Sequence, residues 1–320
     1  MAAFTPQSIQ PWPADRAVLL VHGIGDASAG NAPFPITQLT AALGTQAPKV
    51  AVYTLNYDFI NDWAARKLQL AAGIRTLGSA IAARFANGAL DDKLSEYGGD
   101  VLWPVLHQDT RLAIRDAYMA QLQQIVLDCG ESALARGHDP LDYRVSIIAH
   151  SLGCYHTYEA LHAAVSEPEY RLRPGSDLTQ LECVVMMASP VQLIRTIAGD
   201  IGAAIPKPDQ IATLDSSGLS LPVEQLGTKK VPATRKFVAV TGTQDPVGGH
   251  LLGTRNTWAF MNIAGQQTEI VPQTLAGPDP VLALVKALGS GDGLGSALPD
   301  PHSWSAYVTR EGSLLSGLLA

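Results

Sequence analysis

One ten-residue stretch restricts what this chain can fold into more than any other: Val145-Ser146-Ile147-Ile148-Ala149-His150-Ser151-Leu152-Gly153-Cys154. A near-continuous apolar run, the pattern of a strand buried on both faces, leads into a serine between small residues and then into helical spacing. A strand that turns sharply into a helix strains the residue at the turn, and large side chains two positions before or after it would strike neighbouring backbone. Ala149 and Gly153 meet that demand, Ala149 standing where a glycine is usual. The stretch reads as a nucleophile elbow with Ser151 as candidate nucleophile. Its place after an apolar strand and before a helix, more than the pattern itself, makes the signal specific.

The rest of the chain supplies the setting that such an elbow needs. Short β-branched runs alternate with longer stretches of helical spacing, which predicts an α/β fold with a mostly parallel central sheet and helices on both faces. The strand segments are Ala17 to Val21, Val50 to Leu55, Val145 to Ala149, Cys183 to Ala188 and Phe237 to Thr241, with a weaker one at Thr268 to Val271. The strong ones end in Gly, Ser, Asp or Asn chemistry, including His22-Gly23-Ile24-Gly25-Asp26, Asn56-Tyr57-Asp58, His150-Ser151 and Gly242-Thr243-Gln244-Asp245. Ligands in open α/β sheets bind beyond the carboxyl ends of the strands, so the polar residues gather where a site is expected.

Between residues 59 and 140 there is an extra helical segment. Trp63, Leu70, Ile74, Leu77, Ile81 and Phe85 make one amphipathic stripe, with Arg66, Lys67, Arg75 and Arg84 elsewhere on it. Packing on the body is the plain expectation, and peripheral contact with an anionic membrane surface is the alternative. A second helix is expected from about Arg111 to Cys129, with Ile114, Tyr118, Leu122 and Ile125 on one face. Residues 190–232 read as an insertion, helical from Val191 to Ile205 and then rich in Pro, Gly and Ser; it is either a crossover or a cap over the site. No repeat or composition break divides the chain, so residues 1–320 read as one domain carrying these additions.

Ala17-Val18-Leu19-Leu20-Val21-His22-Gly23-Ile24-Gly25 is a strand feeding a His-Gly loop. Acyl transfer needs donors aimed at the oxyanion of the tetrahedral intermediate. In an elbow enzyme these are the backbone N–H after the nucleophile, here Leu152, and one from the loop after an early strand, here Ile24. Gly23 and Gly25 let that backbone approach, and His22 is read as a fixer of the loop rather than as the base.

With these residues in view, the chain resembles an α/β-hydrolase of the serine esterase and lipase type. The segments LLVHGIGD, GGDVLWPVL, VSIIAHSLG and DPVG resemble a branch of serine esterases related to lipases and lipid-remodelling deacylases. The likeness runs from Ala17 to His302 and is weakest over Pro190 to Pro232. It implies the chain order nucleophile, acid, histidine, so the partners of Ser151 lie C-terminal to it. The acid position is matched by Asp245, in Asp245-Pro246-Val247-Gly248-Gly249, with Asp279, Asp292 and Asp300 as fallbacks. The base position is matched by His302, in Pro299-Asp300-Pro301-His302-Ser303-Trp304, with His250 as the alternative. His156 and His162 sit in the helix after the elbow, which carries them away from the serine; they read as structural or exposed.

The implied activity is hydrolysis of a carboxylic ester through an acyl-enzyme on Ser151, with no metal or organic cofactor. The alternatives are a thioesterase or acyltransferase with the same triad, or a non-catalytic binding protein of the same fold. The expected partner is a small acyl ester, a lipid among them. A formal net charge of -7, from 22 Lys plus Arg against 29 Asp plus Glu, with no basic cluster, argues against nucleic acid. No apolar run approaches the roughly 20 residues of a membrane span, and the start lacks a signal-peptide pattern, so a cytoplasmic location is expected. Three cysteines without CxxC spacing, Cys129, Cys154 and Cys183, point to buried thiols.

Overall fold

Aliphatic and β-branched runs that can be covered on both faces become parallel strands. The computed structural model describes residues 4–9, 16–23, 34–60, 108–140, 143–166, 181–189, 236–242, 268–273 and 304–319. Among them are β1 (Arg16–Val21), β2 (Val50–Leu55), β3 (Arg144–His150), β4 (Leu181–Met187), β5 (Lys236–Gly242) and β6 (Thr268–Gln273). They pair in parallel in the order β2-β1-β3-β4-β5-β6. Each lies within two residues of the boundary its sequence predicts. The expected strand to Ala188 stops at Met187 because Ala188 turns to a φ of 53°, where a strand cannot continue.

The helices are α1 (Ile36–Leu43), α2 (Gln108–Ala135), α3 (Leu152–Ser166), α4 (Trp304–Arg310) and α5 (Gly312–Leu319), with a 3-10 turn at Gly44–Lys49. The helix expected over 111–129 is therefore longer at both ends. The stripe over 63–85 and the insertion at 190–232 lie outside the described residues. Neither α1 nor α5 has a counterpart in the sequence reading.

Alternation along the strands explains the two layers. Ala17, Leu19 and Val21 of β1 face one way with Val145, Ile147 and Ala149 of β3, and are covered by Ile114, Tyr118, Leu122 and Ile125 of α2 and by Leu152, Tyr155 and Leu161 of α3. Val18, Leu20 and Ile148 face the other way, against Leu39 and Leu43 of α1, Tyr307 and Val308 of α4, and Leu315 and Leu318 of α5. Each fully buried Leu or Ile side chain contributes about 1.5–3 kcal/mol. From β1 the chain passes to β2 on one side, then returns past β1 to β3 on the other. Connections of one hand then require α1 on one face and α2 and α3 on the opposite face, as observed. The reversal makes the carboxyl ends of β1 and β3 a topological switch point.

The buried polar side of α2 has its own explanation. Gln121 and Gln7 exchange two hydrogen bonds of 2.8 and 3.0 Å. Asp128 accepts from the Ser8 hydroxyl (3.0 Å), the Ile9 N–H (2.9 Å), the Tyr53 hydroxyl (2.9 Å) and the Gln124 amide (2.7 Å). Residues 4–9 are thereby strapped across β2 and α2. All three cysteines are buried thiols, as expected, and no disulfide joins them. Among the described residues no helix is long and apolar enough to cross a membrane.

Candidate active site

Ser151 is the single residue between the end of β3 and the start of α3, and its φ is 51°. That left-handed conformation costs a non-glycine residue roughly 1–2 kcal/mol, so the surrounding structure must impose it. It does so with hydrogen bonds on both sides of the turn. The Ser151 N–H donates to the carbonyl of Met187 at the end of β4 (3.0 Å), and the Ser151 carbonyl accepts from the Cys154 N–H in the first turn of α3 (2.9 Å). The Cys154 thiol also donates to the Met187 carbonyl (3.3 Å), and burial holds it in the neutral form.

Two glycines let this turn sit against the end of β1. A Cβ on Gly153 would lie 2.4 Å from the His22 carbonyl oxygen and 2.6 Å from that of Val21, both backbone atoms. A Cβ on Gly23 would lie 2.5 Å from the Ser151 Cβ and 3.0 Å from its Oγ. The His-Gly loop and the elbow are thus in direct contact, as the sequence reading requires. Leu152 begins α3, where N–H groups have no acceptor four residues back and the helix dipole favours negative charge. Its amide is therefore among the N–H groups that a helix start leaves for an anion or another acceptor.

The His-Gly loop is held from inside. The Nδ1–H of His22 donates to the Gly23 carbonyl (2.6 Å) and the ring stacks on Tyr57 with centroids 4.4 Å apart. Among the described residues the Nε2 of His22 has no hydrogen-bond partner, and it lies 3.7 Å from a carboxylate oxygen of Asp58. Burial pushes the His22 pKa down to about 4, against a smaller opposing effect of the Gly23 hydrogen bond. His156 packs edge-on against Tyr57 at 4.8 Å, and burial, with His22 nearby, pushes its pKa down to about 3. Both imidazoles are neutral at pH 7. Among the described residues no three His, Cys, Asp or Glu side chains are grouped to hold a metal ion.

A second aromatic chain reaches the elbow from the other face. Phe34 meets His22 edge-on at 5.3 Å and Trp304 at 5.6 Å. Trp304 stacks on His150, the residue before Ser151, at 5.4 Å, and Tyr307 closes on the same imidazole at 5.9 Å.

Of the sequence-predicted site, Ser151 and Leu152 come together with Gly23. Ile24, Asp245, His302 and the alternative His250 lie outside the described residues, as do Asp279, Asp292 and Asp300. Described structure nevertheless ends close to each candidate in the chain: Gly23 precedes Ile24, β5 ends at Gly242 three residues before Asp245, and α4 begins at Trp304 two residues after His302. Sequence reasoning passed over Tyr57, Phe34 and Trp304. Tyr57 had one available signal, its position just past the carboxyl end of β2 among the polar strand ends.

The parallel sheet, its two helical layers and the strained serine between β3 and α3 make this an α/β-hydrolase fold. No family model matches the chain, and no curated protein matches it. Several solved structures are similar. An acetyl ester-xyloside bifunctional hydrolase from Caldicellulosiruptor lactoaceticus is 11% identical over 98% of this chain and 88% of its own, with a TM-score of 0.40. A siderophore hydrolase from Aspergillus fumigatus is 12% identical over 91% and 94%, with a TM-score of 0.37. An esterase from Pyrococcus furiosus is 11% identical over 96% and 84%, with a TM-score of 0.35.

Proposed function

We propose that this protein is a serine hydrolase of carboxylic esters that works through an acyl-enzyme on Ser151. The observation that carries the reading is a serine held at a φ of 51° on the turn from β3 into α3, in contact with the His-Gly loop at the switch point of the sheet. Nothing in strand or helix propensity rewards that conformation, and a hydroxyl presented at a sharp turn beside backbone donors is what it would serve.

In this reading His302 removes the Ser151 proton as the Oγ attacks the acyl carbonyl carbon, and Asp245 orients and stabilises the imidazolium. The N–H groups of Leu152 and Ile24 receive the oxyanion. Collapse expels the alcohol, which takes the proton from His302. Water, deprotonated by the same histidine, then attacks the acyl-enzyme and releases the acid. Chain length supports the assignment: at most about 3.6 Å per residue keeps the His302 Cα within about 7 Å of that of Trp304, whose ring lies on His150. The same limit keeps Asp245 within about 11 Å of the end of β5. The scheme uses no metal or organic cofactor. Residues 190–232 are read as an insertion on a single domain and, being apolar at their start, as the wall of an acyl pocket for an apolar chain.

A fluorophosphonate probe with mass-spectrometric mapping tests this, because only a serine with a working base reacts quickly. Ser151 should carry the label, and His302→Ala should slow labelling far more than His250→Ala. Folded protein that stays unlabelled, and that hydrolyses no p-nitrophenyl ester, refutes the reading.

A further inference from the structure

The inner surface of the His-Gly loop carries an arrangement that the triad scheme does not use. Tyr57 is fully buried just past β2, and its hydroxyl lies 2.7 Å from the His22 carbonyl and 3.1 Å from the Gly23 carbonyl. Burial, reinforced by the charge of Asp58, keeps the phenol neutral and hence a donor. Its ring lies flat on the His22 imidazole, 7° from parallel, and that imidazole donates to the same Gly23 oxygen. Two side chains therefore converge on one backbone carbonyl in the loop that touches Ser151.

The consequence follows from the geometry of the peptide group. A trans peptide holds its C=O and N–H on opposite sides of one plane. The Gly23 oxygen is tied to Tyr57 and His22 on the interior side, and in any trans peptide the N–H that follows a carbonyl points away from it, so holding this oxygen constrains the following amide as well. Gly23 itself faces Ser151, since a Cβ on it would strike the Ser151 side chain. We propose that Tyr57 is a positioning residue for ester hydrolysis: its hydroxyl, with the His22 Nδ1–H, fixes the plane of the Gly23–Ile24 peptide and so the direction of the second oxyanion donor. The inference rests on the hydrolase reading. It places the worth of Tyr57 in the transition state, because a donor aimed at the oxyanion acts where charge develops and little on the bound ester.

The test is Tyr57→Phe, which keeps the ring, its stack on His22 and its contact with His156 while deleting the hydroxyl. Hydrolysis of p-nitrophenyl butyrate well below the unfolding temperature is read as kcat and KM separately. An aliphatic trifluoromethyl ketone, which forms a tetrahedral oxyanion adduct with a serine, reports the same donor at equilibrium. Complete loss of an oxyanion donor costs about 10²–10³ in kcat, so a donor left present but misdirected should cost about tenfold or more. KM should stay within about twofold, and the ketone should weaken in proportion to kcat/KM. A merely structural tyrosine would lower the melting temperature and leave kcat and ketone affinity of the folded enzyme alone; that result overturns the proposal. His22→Phe is the second variant, removing the other donor while keeping a ring on Tyr57, and should show the same kcat-only signature. Unchanged kcat in both variants overturns the proposal even if Tyr57→Phe folds poorly. A wild-type protein with no Ser151-dependent turnover fails differently, since it removes the hydrolase reading first.

Discussion

The strain at Ser151 can be weighed directly, because glycine relieves it and alanine does not. Ser151→Ala and Ser151→Gly both delete the hydroxyl, so any hydrogen bond of the Oγ cancels between them and the backbone term remains, together with the one Cβ that alanine keeps. At a φ of 51° an alanine still bears the left-handed penalty of roughly 1–2 kcal/mol. Glycine bears none there, but its extra freedom in the unfolded chain costs about 0.5–1 kcal/mol. The difference leaves Ser151→Gly more stable than Ser151→Ala by about 0.5–1 kcal/mol, the reverse of the order expected in an ordinary helix or strand. Paired urea titrations at pH 7.5 read this as a higher midpoint for the glycine variant at equal slope. A control at Ala149, in β3 and fully buried, should give the ordinary order, with Ala149→Gly destabilised. Equal midpoints for the two Ser151 variants, or a lower one for glycine, would refute the claim that the fold forces this serine into an unfavourable conformation.

The other predictions concern the packing and the protonation of the same region. Gly153→Ala places a methyl 2.4–2.6 Å from two backbone oxygens that no rotamer change can clear, so it should lower stability by about 2 kcal/mol or more and slow Ser151 labelling together with it. Native stability with full labelling would show that α3 can move off β1 at little cost. His22 and His156 titrate near 6.5 when unfolded but only at about 4 and about 3 when folded. The unfolded chain therefore binds more protons between those values, so stability is complete above pH 6.5 and falls as pH drops toward 4. Each histidine adds up to about 1.4 kcal/mol per pH unit to that slope. His156→Gln should roughly halve the two-histidine contribution over pH 5–6.5, and an unchanged slope in urea midpoints would count against a neutral buried imidazole.

The strands were legible because parallel strands covered on both faces must be continuously apolar, and residues such as Ala17 to Val21 have no other reading. Ser151 was legible for the complementary reason, that small residues at Ala149 and Gly153 make sense only around a tight turn. What escaped was contact between distant segments. Nothing near Tyr57 in sequence says that its hydroxyl caps two carbonyls 34 and 35 residues earlier. Nothing near Asp128 says that it receives the chain at Ser8 and Ile9, 120 and 119 residues away. Helix α1 was passed over because its burial rests on Leu39 and Leu43 alone, too few to set a period, and α5 because Gly312 and Gly317 dilute its apolar spacing.

Among the described residues, conflicts between local preference and backbone conformation gather at one place. Ser151 and Ala188 are the described non-glycine residues at positive φ; they follow the ends of the adjacent strands β3 and β4, and the Ser151 N–H is bonded to the carbonyl of the residue before Ala188. Gly153 sits in the first turn of α3, where it costs about 1 kcal/mol of helix propensity against alanine, and it is there because Val21 and His22 leave no room for more. The imidazoles of His22 and His156 are buried, each with one nitrogen lacking a partner among the described residues. Away from this corner β1, β3 and β4 obey their patterns and bury their apolar residues on both faces. Several small penalties at one switch point, beside strands that otherwise obey their patterns, are what the proposed hydrolase site would require of the fold.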